Sequence, residues 1–245
     1  MRYAIISDIH SNLAAFEAVL LDIDERGGAE RIWCLGDVVG YGPNPCECIE
    51  LLQRYDHACV AGNHDWAALG KADLDDFNTE AAAASVWTMK QLGSKEIGYL
   101  ENLPLSLEEG DFTLVHGSPR EPVWEYLLSI YSAKISFAYF QTKYCLVGHS
   151  HVPLVFELSA DGGDCLLHKV SPDTELRLEE NRLIINPGGV GQPRDGDPRA
   201  SYAIYDSERG VISYYRVTYN IAATQQRMKE RGLPQRLIDR LSYGL

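Results

Sequence analysis

Tyr3-Ala4-Ile5-Ile6-Ser7-Asp8-Ile9-His10 is the stretch that decides the fold. Its short apolar run reads as a buried strand that delivers Asp8 and His10 at its end. Two residues apart on a strand, they are expected on one side of it. Next, Leu13, Phe16, Leu20 and Ile23 recur at spacings of three and four, so residues 12–26 read as an amphipathic helix closed by Gly27-Gly28. Ile32-Trp33-Cys34-Leu35 is a second strand, ending at Gly36-Asp37. A Gly/Pro loop over 40–45, a helix over 47–54 and a strand over 57–61 follow, and the strand runs into Gly62-Asn63-His64-Asp65. This β-α-β-α-β order predicts an α/β fold with a largely parallel sheet, in which ligands gather at the carboxyl ends of the strands.

The middle of the chain reads as helices over 79–92, 97–103 and 131–141. Strands over 112–115 and 144–147 lead into His116-Gly117 and Gly148-His149-Ser150-His151. The last third reads as strands at 153–158, 165–170, 182–186, 201–206 and 211–217, expected to form a second sheet packed on the first. From about residue 220 a tail carries two short helical patterns broken at Gly232 and Pro234, which suit a dimer contact or a cap on the fold equally. With no internal repeat or linker, residues 1–245 are expected to form a single domain.

A net charge of -13 argues against general nucleic-acid binding or anionic-membrane binding through a basic face. The six cysteines include no C-x-x-C pair and are expected to be reduced thiols; Cys46 and Cys48 fall on different faces of a helix, a poor zinc clamp. No stretch approaches the roughly 18 apolar residues of a membrane span. Residues 1–7 are too short for a signal peptide and run into Asp8, so a cytoplasmic protein with no membrane partner is expected.

Five of the seven histidines fall in the motifs, at strand exits that also carry Asp, Asn or Gly. A carboxylate can bridge two cations, and Asp37, with only Gly36 before it, is the obvious candidate. The set mixes imidazole, carboxylate and amide oxygen with no thiolate. It therefore suits manganese, iron, zinc, cobalt or nickel rather than an iron–sulfur or zinc–thiolate site.

The motifs D-x-H, G-D, G-N-H-D, H-G and G-H-x-H, in order over residues 1–151, resemble the calcineurin-like metallophosphoesterase superfamily. The resemblance implies a four-layer α/β/β/α sandwich: two packed mixed sheets with flanking helices and a dinuclear metal centre at the sheet edges. It implies that Asp8, His10, Asp37 and His151 hold one divalent ion. Asp37, Asn63, His116 and His149 would hold the other, with Asp37 shared. It leaves His64 free to protonate the leaving oxygen, with Asp65 to orient it or simply to sit as an acid at a helix start. The reaction implied is attack of a metal-bridging hydroxide on phosphorus.

The loop after Asp37, Val38-Val39-Gly40-Tyr41, lacks the arginine of the G-D-x-V-D-R-G motif in serine/threonine phosphatases. It resembles a prokaryotic-type branch of phosphodiesterases and phosphatases, as do His116–Arg120 and Asn186–Arg194. Arg120 and Arg194 are candidates to clamp phosphate oxygens, or else surface ion-pair residues. Asn12 is a polar substrate contact or an N-cap. Tyr41 stacks on a leaving group or is a plain loop residue, and His57 and His168 are read as structural. The expected function is therefore hydrolysis of a small or nucleotide-like phosphodiester or monoester. The alternatives are a phosphoprotein phosphatase and, last, a non-catalytic scaffold.

Overall fold

The computed structural model describes residues 1–245. The first half runs β1 (Arg2–Ile6), α1 (Leu13–Glu25), β2 (Arg31–Cys34), α2 (Pro45–Leu52), β3 (His57–Cys59), α3 (Asn63–Ala68), α4 (Thr79–Met89) and α5 (Ser94–Glu101). It continues with β4 (Ser106–Glu109), β5 (Phe112–Val115), α6 (Ile130–Ser136), β6 (Tyr144–Leu146), β7 (Leu154–Leu158), β8 (Cys165–Lys169), β9 (Glu175–Arg177) and β10 (Arg182–Asn186). β11 (Ala200–Asp206), β12 (Val211–Val217), α7 (Ile221–Glu230) and α8 (Gln235–Arg240) complete the chain.

Alternation along the strands sets the layers. Ala4 and Ile6 of β1 face α1 and α2, in a cluster with Phe16, Val19, Ile23, Ile49 and Leu52. Ile5, between them, points the other way, into a cluster with Trp33, Leu114, Leu146 and Ile185 that fills the space between two sheets. On the far side of the second sheet, Val115, Cys145, Phe156 and Ile184 pack against Ala133 and Phe137. The result is the four-layer α/β/β/α sandwich. Both faces of each sheet are covered, which is why the central strands are apolar runs rather than alternating ones. Each fully buried Phe, Val, Leu or Ile contributes about 1.5–3 kcal/mol to this packing.

The first sheet has the order β3-β2-β1-β11-β12-β9 and the second β4-β5-β6-β10-β7-β8. β1, β2 and β3 run parallel, as do β5, β6 and β10, and the other neighbours are antiparallel. The last-third strands therefore do not make the second sheet by themselves. β9, β11 and β12 extend the first sheet, and β7, β8 and β10 join strands from the middle of the chain. Two strands escaped the sequence pattern: β4 and β9 are short, polar sheet edges with no apolar alternation to mark them. Residues 137–139, expected as the end of a helix, form a separate 3-10 turn.

Candidate metal centre

Both parallel triplets end at the same place. Asp8 and His10 follow β1, Asp37 follows β2, and Asn63 and His64 follow β3; His116 follows β5, and His149 and His151 follow β6. The sheets are tied together here by cross-links. His149 N donates to Asp8 Oδ2 at 3.1 Å, and His116 Nδ1 donates to the Leu35 carbonyl at 2.7 Å.

Asp8 and His10 do not share a face by lying on a strand, as the sequence suggested. β1 ends at Ile6, and Asp8, His10 and Ser11 have φ of 55°, 48° and 54°. Asp37, His149 and His151 are also in the left-handed region, as is Tyr41. Such backbone costs about 1–2 kcal/mol per non-glycine residue. Of the eight non-glycine residues with positive φ, only Asp173 lies away from these loops. The strain is thus gathered where the side chains must converge. Gly36 (φ 88°) and Gly62 allow the loops to approach closely: a Cβ on Gly62 would collide with Asp37 Oδ1.

The side chains form two clusters. Asp8, His10 and His151 bring one ligand atom each within 4.8 Å of one another, and Asp37, His116 and His149 do the same. Asn63 Oδ1 joins the second cluster, 3.1 Å from His116 Nε2. Asp37 stands between them, with Oδ2 3.6 Å from His10 Nε2 and 3.4 Å from His116 Nε2.

Four backbone carbonyls fix the imidazoles. Nδ1 of His10 donates to Val39 at 3.2 Å, Nδ1 of His116 to Leu35, Nδ1 of His151 to Gln192, and Nε2 of His149 to Trp124 at 3.1 Å. A carbonyl only accepts, so in each neutral ring the opposite nitrogen presents a lone pair to the site. Anchoring one ring nitrogen in this way is how metal-binding histidines are held. The facing nitrogens of His10 and His151 are 3.2 Å apart, and those of His116 and His149 3.1 Å. Nitrogens that each lie about 2.0–2.1 Å from a common cation at roughly right angles have this spacing.

Burial pushes His10 and His151 well below the usual imidazole range and lowers His149 to about 2, so all three are neutral ligands. For His116 burial acts in the same sense, but the Asp37 carboxylate outweighs it and pushes the ring up to about 9. Burial raises the Asp8 carboxyl to about 7. Asp8 Oδ1 and Asp37 Oδ2 are buried and have no hydrogen-bond donor. Buried carboxylate oxygens without a partner are costly, and divalent cations between the clusters would supply one. The residues present therefore fit two metal ions.

His64 stands apart from both clusters. Its ring packs edge-on against His10 (5.0 Å between centroids) and Phe77 (5.1 Å) and lies 4.3 Å from Tyr41. Burial lowers it to about 4, and its Nδ1 is buried without a partner.

Asp65 does not touch the His64 ring. Its Oδ2 accepts from the amides of Asp37 (2.9 Å) and Gly62 (3.0 Å), and its Oδ1 from Val39 (3.1 Å). It sits at the third position of α3 and holds the Asp37 loop against the helix start. Asn12 is likewise spent on structure. It caps α1 through Ala15 N, accepts from Thr224 Oγ1 at 3.0 Å and donates to the Gly191 carbonyl at 2.8 Å, so the amide ties α1 to the tail and to the Gly188–Gly191 segment. Arg120 is paired with Glu125, so its guanidinium is already engaged. Arg194 is the one arginine of the two that lies beside the site, with Nη2 3.4 Å from Tyr41 Oη and a buried, unpartnered Nε.

The sequence reading missed several supporting groups. Tyr126 stacks on His149 at 3.8 Å, and carbonyls rather than side chains hold the histidines, so no residue type marks them. The Gly188–Gly191 segment is a brace. Val190 N donates to the Ser7 carbonyl at 2.9 Å and Gly191 N to the Asp8 carbonyl at 2.8 Å. His57 bonds to Tyr55 and Tyr99 and His168 to Glu157, away from the centre.

The two-sheet sandwich with paired Asp/His clusters at its strand ends defines a class, the metal-dependent phosphoric ester hydrolases. A model of the calcineurin-like phosphoesterase superfamily domain matches residues 1–210, and the chain belongs to that superfamily. It is similar to a metallophosphoesterase from Sphaerobacter thermophilus of known crystal structure, with 48% identity and a TM-score of 0.91 over 100% of this chain and 99% of that one. An uncharacterized protein of Methanocaldococcus jannaschii is 43% identical over 98% of this chain and 97% of its own length. Phosphodiesterase YfcE of Escherichia coli K12 is 30% identical, over 51% of this chain and 72% of that protein. No helix is long and apolar enough to cross a membrane.

Proposed function

We propose that this protein hydrolyses a small or nucleotide-like phosphodiester at a centre of two divalent cations. The observation that carries the proposal is the placement of Asp37. One of its oxygens is tied to the chain, and the other is buried, free and aimed between two histidine clusters. Asp8, His10, Asp37 and His151 would hold one ion, and Asp37, Asn63, His116 and His149 the other. Such a pair supplies a water of lowered pKa and neutralises charge on the phosphoryl oxygens.

The chain's own part is positioning. The four carbonyl-anchored imidazoles keep their lone pairs inward, and Asp65 fixes the loop that carries Asp37. His64, with Nδ1 enclosed near Gly40, meets the leaving oxygen through Nε2 and stabilises the charge that develops there. Arg194 is placed to bind a non-bridging phosphate oxygen. Residues 1–245 act as a single domain in this reading, with the tail from about residue 220 part of it. Thr224 bonds to Asn12, and Met228, Leu237 and Ile238 pack with Tyr41, Ala81 and Ala84. The likeness to phosphodiesterase YfcE supports a diester over a phosphoprotein.

The test uses metal-free protein to which manganese, nickel, cobalt, zinc or magnesium is returned singly. Turnover of bis-p-nitrophenyl phosphate is then compared with that of the monoester, a cyclic nucleotide and a phosphopeptide. Metal-dependent turnover led by a diester or nucleotide is expected. No turnover of any would sink the enzymatic reading, and a phosphopeptide preference would favour a phosphoprotein phosphatase.

A further inference from the structure

The superfamily match ends at residue 210, yet residues beyond it help to close a cleft beside the centre. The cleft holds about 640 Å³, within the range of small-ligand sites. Tyr41, Tyr126 and Arg194 line it, together with Arg236 and Arg240 of α8. The charges of α8 are answered locally. Arg236 pairs with Glu80 at 3.6 Å, and Arg240 Nε donates to an oxygen of Leu245. Beyond Arg194, which the scissile phosphate would engage, the cleft therefore offers a ligand aromatic surface rather than spare charge.

Two tyrosines join this cleft to the metal ligands, and their surroundings separate their roles. Tyr41 lies 4.6 Å from the His10 ring and 4.3 Å from the His64 ring, and it packs against Met228, Leu237 and Ile238 of the tail. At 6% exposure it has no face left for a ligand. Tyr126 is the opposite case. Its ring stacks on His149, with centroids 3.8 Å apart and an interplanar angle of 23°, yet the residue is 48% exposed and lines the cleft. No other aromatic ring packs on it, so the face turned from His149 is open. His149 is itself anchored through the Trp124 carbonyl, which fixes the height of the Tyr126 ring over the centre. A ring already held on one face and bare on the other is ordered before a flat ligand arrives, and stacking there costs little further freedom.

We propose that Tyr126 is a stacking platform for a nucleobase, so that the substrate is an ester of a nucleotide and Tyr126 a residue that selects it. The inference rests on the phosphoesterase reading of the metal centre and narrows its substrate class. With the scissile phosphate between the centre and Arg194, the attached nucleoside would enter the cleft and lay its base on the open face of Tyr126. Stacking accepts any base, because each has a π-face. The polar edge of the base would meet the mixed donors and acceptors of α8 and Glu80, which suit a heterocycle better than a plain hydrocarbon.

The test is calorimetric titration of AMP and of ribose phosphate, which lacks only the base, into zinc-loaded protein. AMP should bind the wild type at least about fivefold more tightly, the lower end of what stacking one base on an aromatic side chain supplies. Tyr126→Ala should bring the two ligands within about twofold of each other, and Tyr126→Phe should keep the preference. AMP binding no tighter than ribose phosphate, absence of binding included, would overturn the platform. So would a preference that survives in Tyr126→Ala: equal loss for both ligands would make Tyr126 a cover for His149 alone. Should Tyr126→Ala fold poorly, nitration of the wild type by tetranitromethane, read by peptide mass spectrometry, gives the same answer. AMP should slow nitration of Tyr126 and ribose phosphate should not, with Tyr131, exposed and outside the cleft lining, as the control. Unchanged nitration of Tyr126 would refute the proposal. Bis-p-nitrophenyl phosphate turnover by metal-loaded wild type tests the phosphoesterase reading alone. Its absence would sink that reading and with it the substrate class, while the AMP comparison would still decide the platform.

Discussion

Asp37 and His64 are joined by a 2.8 Å hydrogen bond from the His64 backbone amide to Asp37 Oδ1. The bond ties the shared carboxylate to the first turn of α3, the same turn that carries the free histidine. It leaves Oδ2 as the one buried oxygen of Asp37 without a donor, between the two clusters. In the proposed reaction, charge neutralisation and leaving-group chemistry would thereby be set by one local arrangement.

Asp37→Asn should therefore weaken both ions at once, by at least about 100-fold each, since loss of even a supporting contact costs 10–100-fold. Elemental analysis after dialysis reads the outcome. Loss of one ion with the other retained would argue against a shared ligand.

His64→Ala should leave the ion content near that of the wild type, because its ring belongs to neither cluster. Turnover of esters with poor leaving groups should fall by about 10²–10⁴, and of activated aryl esters by less. A variant that lost its metals would show that His64 has been misplaced.

For Asp65→Ala the expected effect is on stability first. Three buried amides lose a carboxylate acceptor, and bonds to charged groups contribute about 1.5–3 kcal/mol each, so a loss of at least about 3 kcal/mol is expected in a urea melt. Asp65→Asn should cost less. Unchanged stability with an altered pH–rate profile would instead restore a direct action on His64.

Asn12→Ala should cost about 1–3 kcal/mol, from the lost cap and two further buried bonds, with KM held within about twofold. A rise in KM at unchanged stability would return Asn12 to the substrate.

Metal removal should show a pH signature. In the ion-free fold, burial holds Asp8 and Asp65 at about 7, above their unfolded values, so each disfavours the folded state as pH rises through 7. His116, raised to about 9, contributes stability that fades over the same direction. The lowered histidines act the other way, but their contribution is smaller, since the unfolded rings lose their remaining protons just above about pH 6.5. Chelated protein should thus melt lower at about pH 8 than at about pH 6.5. The loaded protein should gain over that range, because its ligands no longer compete with protons. At a free ion concentration 100-fold above Kd the gain is about 2.7 kcal/mol. Equal melting of chelated and loaded protein would contradict the buried carboxylates' need for a cation.

Much of this is legible in the sequence. The apolar runs before Asp8, Asp37, Asn63, His116 and His149 gave the strands, and all the expected ligands converge. What was illegible had physical causes. The left-handed turns at Asp8 and His10 are imposed by neighbouring loops against local preference, so no local pattern announces them. β4 and β9 are polar edges. Asp65, Asn12 and Arg120 looked like chemistry because their side chains can do chemistry, and only their partners reveal that each is already committed to amides, a helix end or Glu125. Arg240 lies more than two hundred residues from His10 in sequence, and tertiary packing alone brings the tail to the cleft.

The most direct measurement is anomalous diffraction at the manganese edge from crystals grown with that ion. Two peaks are predicted, one within Asp8, His10 and His151 and one within Asn63, His116 and His149, with Asp37 touching both. A single peak, or two peaks with Asp37 bound to only one, would contradict a centre built around a shared Asp37.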